Sequence, residues 1–515
     1  MSRTVPAQSA TAWPRPGDAR AIGATPALPL ALIVLLGLGL RLYRLDAVSF
    51  WSDEAFTTHW IHKDLVFLWT RGLELETTPP LYYTLLKFWA WLAGSSDFAI
   101  RLFSALASTA TIPLVFLLGR AFGRPATGLA AALLFALMPM QVFYAQEARA
   151  YALVPLFLAT ALLGLLRFTR AAMAAEWAEG WQGLPLFTGS AVLLIYSHAT
   201  SVFTVAALDV CCAGLLLASA PGRRALPRLI LANLGVAVLS LPQLWAILVQ
   251  TGRHDLDWIQ PPDLVSILNL ANSLLVDPVT PQTAFRLSCI LSALVLALLL
   301  ASLAFLRPNR LTVAYLLGVP ALFLVAVIGL SFKSPFVIPR ILIWIAVPVC
   351  VLAGMALQPP VPRALRAALA LAFVACIGVG LYGVYVRTPA DKEDWRGLMA
   401  ELMPQLGPQD IVAIGPGTTI LPILHYSGGA FEGTGRQLWR WEPAPRNPDI
   451  YLPDTILPPL PVSTEALAAA AREGRRVRLL LREVDWLRNA PAALSAVPPP
   501  SLVNRSHARV VLVTW

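Results

Sequence analysis

Two adjacent carboxylates, Asp53 and Glu54, stand in the stretch Ser49-Phe50-Trp51-Ser52-Asp53-Glu54-Ala55-Phe56, just beyond an apolar run. A carboxylate in that place can take the proton of a hydroxyl as the hydroxyl attacks. The same residues also suit a helix start, with Ser52 or Asp53 at the N-cap and acids in the first turn. The surrounding segment, about 44–97, is long, and long loops in compact proteins tend to be functional. A second group, Glu147 and Arg149, lies in Phe143-Tyr144-Ala145-Gln146-Glu147-Ala148-Arg149-Ala150-Tyr151 and joins two apolar runs without a real loop. Ionisable groups at such a boundary are costly and usually face a cavity. An interfacial ion pair among belt tyrosines is the structural alternative. Lys333 and Arg340 precede another apolar run, where a cation suits an anionic partner such as a lipid phosphate. His198 falls between two short apolar runs and reads first as a polar residue satisfied between helices.

The elements that carry these residues are membrane helices. Of 515 residues, 57% are hydrophobic and only 13% charged, against about 45–50% and 25% in soluble domains. A soluble enzyme of ordinary composition and a disordered chain are both excluded. Runs long enough to span a bilayer occur at 26–43, 98–119, 127–144, 148–168, 184–198, 199–219, 226–250, 284–306, 311–330, 340–357 and 364–386, eleven in all. The run 79–94 is short and rich in aromatics, as in an interfacial helix. With 79–94 outside the count and the tail 1–25 in the cytoplasm, 14 Arg residues and three acids fall on the inner side. Asp46, Asp53, Glu54, Asp64, Glu74, Glu76, Asp97, Glu147, Asp255, Asp257, Asp263 and Asp277 then fall outside. That asymmetry obeys the positive-inside rule and puts the C-terminus outside. It also accounts for the net charge of +10 without nucleic acid. The five cysteines lie in apolar runs and read as small buried hydrophobes.

After Arg387 the composition turns polar and Pro-rich. Segment 388–515 reads as a small α/β unit, with a helix over 394–406 and strands over 410–414, 477–481 and 510–514. The expected fold is thus an α-helical polytopic membrane protein with a 26–387 membrane domain and this outer unit. Gly415-Pro416-Gly417 lacks the third glycine of a dinucleotide site. No His/Cys cluster has zinc spacing, and neither a phosphate-binding Gly-rich loop nor a Gly-x-Ser-x-Gly elbow is present.

Taken in order, the motifs resemble the GT-C glycosyltransferases of the protein O-mannosyltransferase and aminoarabinose-transferase superfamily. Asp53-Glu54 after the first span is similar to that family's first outer loop. Thr78-Pro79-Pro80-Leu81-Tyr82-Tyr83, followed by Phe98-Ala99-Ile100-Arg101-Leu102, resembles its "PPLYY … ALRL" stretch. Tyr144 to Tyr151 is similar to "YSQEARMY". Pro339-Arg340 resembles an "RY" helix start, with Ile341 in place of the tyrosine, and Asp394-Trp395-Arg396 resembles the "DWR" that opens an outer unit.

The resemblance implies an inverting transferase, hexosyl or pentosyl, at the outer face of a bacterial inner membrane. The sugar would come from a polyprenyl-phosphate donor and pass to an envelope lipid, glycan or protein acceptor. Asp53 matches the family's catalytic carboxylate, with Glu54 beside it and Glu147 as a second acid. A phosphate leaving group needs positive charge rather than an acid, and Lys63, Arg149 and Arg340 are the outer cations. Tyr82, Tyr83 and His198 complete the expected substrate contacts. Metal dependence stays open at this level: Asp53, Glu54 and Glu147 offer oxygens to a divalent ion, and the chemistry also runs without one. The competing reading is a transporter or lipid flippase. Such proteins usually carry paired repeats and midplane charges, whereas the charges here gather on one face.

Overall fold

The structure, a computed structural model, describes residues 26–176, 182–251, 259–276, 285–388, 392–415, 420–431, 437–442, 461–488, 490–495 and 497–515. The tail 1–25, the acids Glu179, Asp255, Asp257 and Asp277, and Pro416-Gly417 lie outside the described residues.

The chain is mostly helical, and seven helices are long and apolar enough to cross a membrane. They are Asp97–Phe122, Ala150–Ala174, Leu226–Thr251, Phe285–Leu306, Arg310–Ser331, Pro339–Ala356 and Arg363–Arg387. Pro125–Leu137 and Pro139–Ala145 form an eighth if taken as one span, bent by 55°. Proline explains the break, because it removes a helix donor and crowds the preceding turn. Ala27–Leu42, Gly183–Ile195 and Ser201–Leu217 coincide with the three other runs read from the sequence, but they are shorter, at 16, 13 and 17 residues. A count of eleven therefore depends on these three helices.

The first helices run α1 (Ala27–Leu42), α2 (Ser52–Ile61), α3 (Leu65–Trp69), α4 (Arg71–Leu75), α5 (Pro80–Ala93) and α6 (Asp97–Phe122). The next are α7 (Pro125–Leu137), α8 (Pro139–Ala145) and α9 (Leu153–Ala174). Small residues let the spans approach: a Cβ on Gly119 of α6 would meet the Gly128 Cα of α7 at 2.7 Å. On α5, the segment read as interfacial, Phe88, Trp91 and Leu92 are exposed, while Tyr82, Tyr83 and Leu86 are buried.

The C-terminal unit is a six-stranded sheet of β1 (Ile411–Ile414), β2 (Gln437–Trp441), β3 (Pro461–Val462), β4 (Val477–Arg482), β5 (Leu502–Asn504) and β6 (Val510–Thr514). Its order is β3-β2-β1-β4-β6-β5. β1 runs parallel to β2 and β4, and β6 antiparallel to β4. The helix expected over 394–406 is Trp395–Leu402 followed by a short 3-10 turn. Strand β1 is buried along its whole length because both of its faces are covered. Val412, Ile414, Leu480 and Leu512 share one core with Phe50, Trp60, Tyr82 and Trp395. The segment after α1 and one face of the sheet therefore share a single packed core.

Candidate active site

The two adjacent carboxylates sit in the first turn of α2, after Trp51 at the N-cap position. Neither is the cap, since no side chain caps this helix. Successive helical residues point in different directions, and the environments of Asp53 and Glu54 diverge accordingly. The Glu54 carboxylate is fully buried. Arg101 grips it with Nε to Oε1 at 2.7 Å and Nη2 to Oε2 at 2.6 Å. The Ala148 main-chain N–H donates to the same Oε1 at 2.9 Å. Burial alone would push the Glu54 carboxyl up; the Arg101 guanidinium, helped by Lys392 and these hydrogen bonds, brings it below the ordinary value. Arg101 spends its remaining donors on the Leu45, Val48 and Ser49 carbonyls, and its plane lies over the Phe50 ring at 4.8 Å. Glu54 and Arg101 thus fix the turn that leads into α2.

Asp53 faces the other way. Its side chain keeps 33% exposure, and Oδ2 lies 3.6 Å from Arg340 Nη1, an ion pair longer than a hydrogen bond. Arg340 opens the span Pro339–Ala356 and stands over the Tyr151 ring at 5.7 Å. Arg149 reaches the same place from below. It donates to Thr78 Oγ1 at 2.8 Å, and more weakly to the Asp53 carbonyl and Tyr83 hydroxyl, each at 3.4 Å. Glu76 lies 4.0 Å from Arg149 and accepts from the Tyr83 hydroxyl at 3.3 Å. The stretches 76–83 and 144–151 therefore meet at Arg149.

Glu147 is 3% exposed and pairs with Lys392 Nζ at 3.1 Å. Burial pushes its carboxyl up, Lys392 opposes this, Glu54 adds to it, and the net position is above the ordinary carboxylate value. Asp53, Glu54 and Glu147 are near neighbours, but their side chains lead to three different cations, Arg340, Arg101 and Lys392. Among the described residues no group of three His, Cys, Asp or Glu side chains is arranged to hold a metal ion.

The remaining expected contacts fare differently. Tyr83 lies at the site, whereas the Tyr82 hydroxyl meets Ser104 Oγ at 2.9 Å inside the core. His198 stands in the short link before Ser201–Leu217, where Nδ1 is 2.9 Å from Thr200 Oγ1 and the ring 6.1 Å from that of Tyr151. Burial, then Arg340 and Arg149, lower its imidazole to about 4, so it is neutral at physiological pH. Lys63 lies past the far end of α2, with Phe67 as its nearest ring at 6.0 Å, away from the Asp53 cluster.

Sequence reasoning missed Arg101 and Lys392 as site-building residues. Arg101 carried a signal, since it sits one turn inside an apolar helix. Lys392 carried none, because its partner is 245 residues away. It also missed Asp97, which receives Arg396 at 2.5 Å, His425 at 2.9 Å and the Tyr426 hydroxyl at 2.5 Å. The Tyr426 hydroxyl in turn accepts from the Phe50 N–H at 2.6 Å. Asp394-Trp395-Arg396 is thus a docking motif: Asp394 caps a helix, Trp395 is buried, and Arg396 ties the C-terminal unit to Asp46 and Asp97.

Comparison with known proteins agrees with this architecture. Residues 77–247 match the dolichyl-phosphate-mannose-protein mannosyltransferase family. No curated protein sequence matches the chain. The crystal structure of ArnT from Cupriavidus metallidurans in the apo state superposes with a TM-score of 0.60 at 13% identity, covering 94% of this chain and 97% of that one. The same protein bound to undecaprenyl phosphate gives 0.58 at 13% identity, over 96% and 98%. The chain is thus similar to that mannosyltransferase family over 77–247 and shares the fold of ArnT along nearly its whole length.

Proposed function

We propose that the chain transfers a sugar from a polyprenyl-phosphate carrier to an envelope acceptor, with inversion, at the outer face of the bacterial inner membrane. The observation that carries the reading is the Asp53–Arg340 pair: an accessible carboxylate 3.6 Å from an accessible guanidinium at the head of a span. Asp53 is the general base that takes the acceptor's proton as its oxygen attacks the anomeric carbon. Arg340, with Arg149 behind it, holds the lipid phosphate that departs. The carrier suggested here is of the class that ArnT was crystallised with, undecaprenyl phosphate.

Glu54 is set aside as the base, because its carboxylate is fully buried and already accepts two hydrogen bonds from Arg101 and one from Ala148. Its role is to hold α2, and with it Asp53, against α6. Glu147 works from behind as a buried charge balanced by Lys392. Residues 388–515 are the outer unit that closes over this loop. Comparative mass spectrometry of envelope lipids and glycans, with and without the gene, tests the reading. A glycosylated species that disappears with the gene supports it, and identical profiles contradict it.

A further inference from the structure

A small cleft, partly open to solvent, lies between the C-terminal end of α1 and the end of the span Arg363–Arg387. Its lining contains Arg44, Arg101, Phe143, Gln146, Tyr385 and Lys392. Neither Asp53 nor Arg340 lines it, and every charged residue that does is a cation. Two of those cations are already balanced, Arg101 by Glu54 and Lys392 by Glu147. Arg44 is different. Among the described residues its exposed side chain forms no ion pair, and that side chain's one hydrogen bond goes from Nη1 to the Tyr385 carbonyl at 3.1 Å. Arg44 follows the C-cap Tyr43 of α1 at φ 57°, the left-handed conformation in which helices commonly end.

The rim tells what kind of ligand fits. Tyr43, Tyr382 and Val386 are 58%, 59% and 51% exposed beside the cleft, at the ends of the apolar helix α1 and of the span Arg363–Arg387. Tyrosines at that level belong to the boundary between acyl chains and headgroups. An unbalanced guanidinium set just behind such a rim matches a phosphate with acyl chains attached. The geometry points to a binding site for the phosphate headgroup of a membrane lipid in this cleft, which neither Asp53 nor Arg340 lines.

The test is native mass spectrometry of the full chain with dioleoyl phosphatidylglycerol, with phosphate-free dioleoylglycerol and with inorganic phosphate. The wild-type chain should retain phosphatidylglycerol and not dioleoylglycerol. Arg44→Gln should retain one fewer phosphatidylglycerol, with about tenfold weaker occupancy of the lost site, as expected for a charged hydrogen bond. Arg44→Lys should keep it. Equal retention by the wild-type chain and Arg44→Gln would overturn the assignment. Binding of inorganic phosphate without preference for the lipid would assign the cleft to free phosphate instead.

Discussion

Arg101 holds Glu54 through two hydrogen bonds of 2.7 and 2.6 Å across 47 residues of sequence, while the neighbouring Asp53 faces Arg340 instead. The Arg101–Glu54 pair lies almost fully out of solvent. Removing one partner of such a pair leaves an uncompensated buried charge, which costs about 3–5 kcal/mol. Arg101→Met and Glu54→Ala should therefore each lower the unfolding midpoint in detergent by several degrees. An unchanged midpoint in both variants would show that the clamp is not structural.

The same clamp makes a pH prediction. The folded Glu54 carboxyl lies below the ordinary value. Its contribution is therefore fully present above the unfolded value of about 4.3 and is lost as pH falls through the folded value. The stability gap between the wild-type chain and Glu54→Gln should be widest near neutral pH and shrink below about pH 4. Glu147 carries the opposite sign, because its carboxyl is held above the ordinary value. The gap for Glu147→Gln should be largest in acid and narrow as pH rises through that folded value. Unfolding midpoints of the three chains across pH decide this; parallel curves would contradict it.

Asp97 makes a separate mechanical prediction. It is the common acceptor for Arg396, His425 and the Tyr426 hydroxyl, so Asp97→Ala leaves three donors without it. Each buried polar group left unpaired costs about 1–3 kcal/mol. Hydrogen exchange should speed up in 420–426 and 44–50 together, while the spans keep their protection. Faster exchange spread evenly over the chain would argue against a local dock.

How far the sequence could be read follows from the reach of each signal. Apolar runs report helices directly, so all eleven segments are helical here, although three are too short to pass as full spans on length and composition. Alternation and apolar content marked β1, β4 and β6, whereas β2, with Arg440 inside it, and the two-residue β3 gave no comparable pattern. At the site, Asp53, Arg149 and Arg340 stood out as charges at membrane boundaries. The division of labour between Asp53 and Glu54 was not legible, because both are acids in one turn and only Arg101 tells them apart. Lys392 and Asp97 acquire their roles through partners hundreds of residues away, which no local pattern encodes.

Topology is checked with a reporter active only outside the cytoplasm, fused after Trp515. The Arg asymmetry places that end outside, so the reporter should be active. A silent reporter on a normally expressed chain would contradict the orientation, and with it the outer-face location of Asp53.

The central claim is that Asp53 is the base. Asn preserves the size and hydrogen-bonding capacity of the side chain but cannot accept the proton. The direct measurement is turnover by purified wild-type and Asp53→Asn chains on the lipid-linked sugar and acceptor identified from the envelope comparison. The account predicts a loss of about 10²–10⁴-fold, the usual contribution of a positioned base, with an unchanged unfolding midpoint. Near-normal turnover by Asp53→Asn would contradict it.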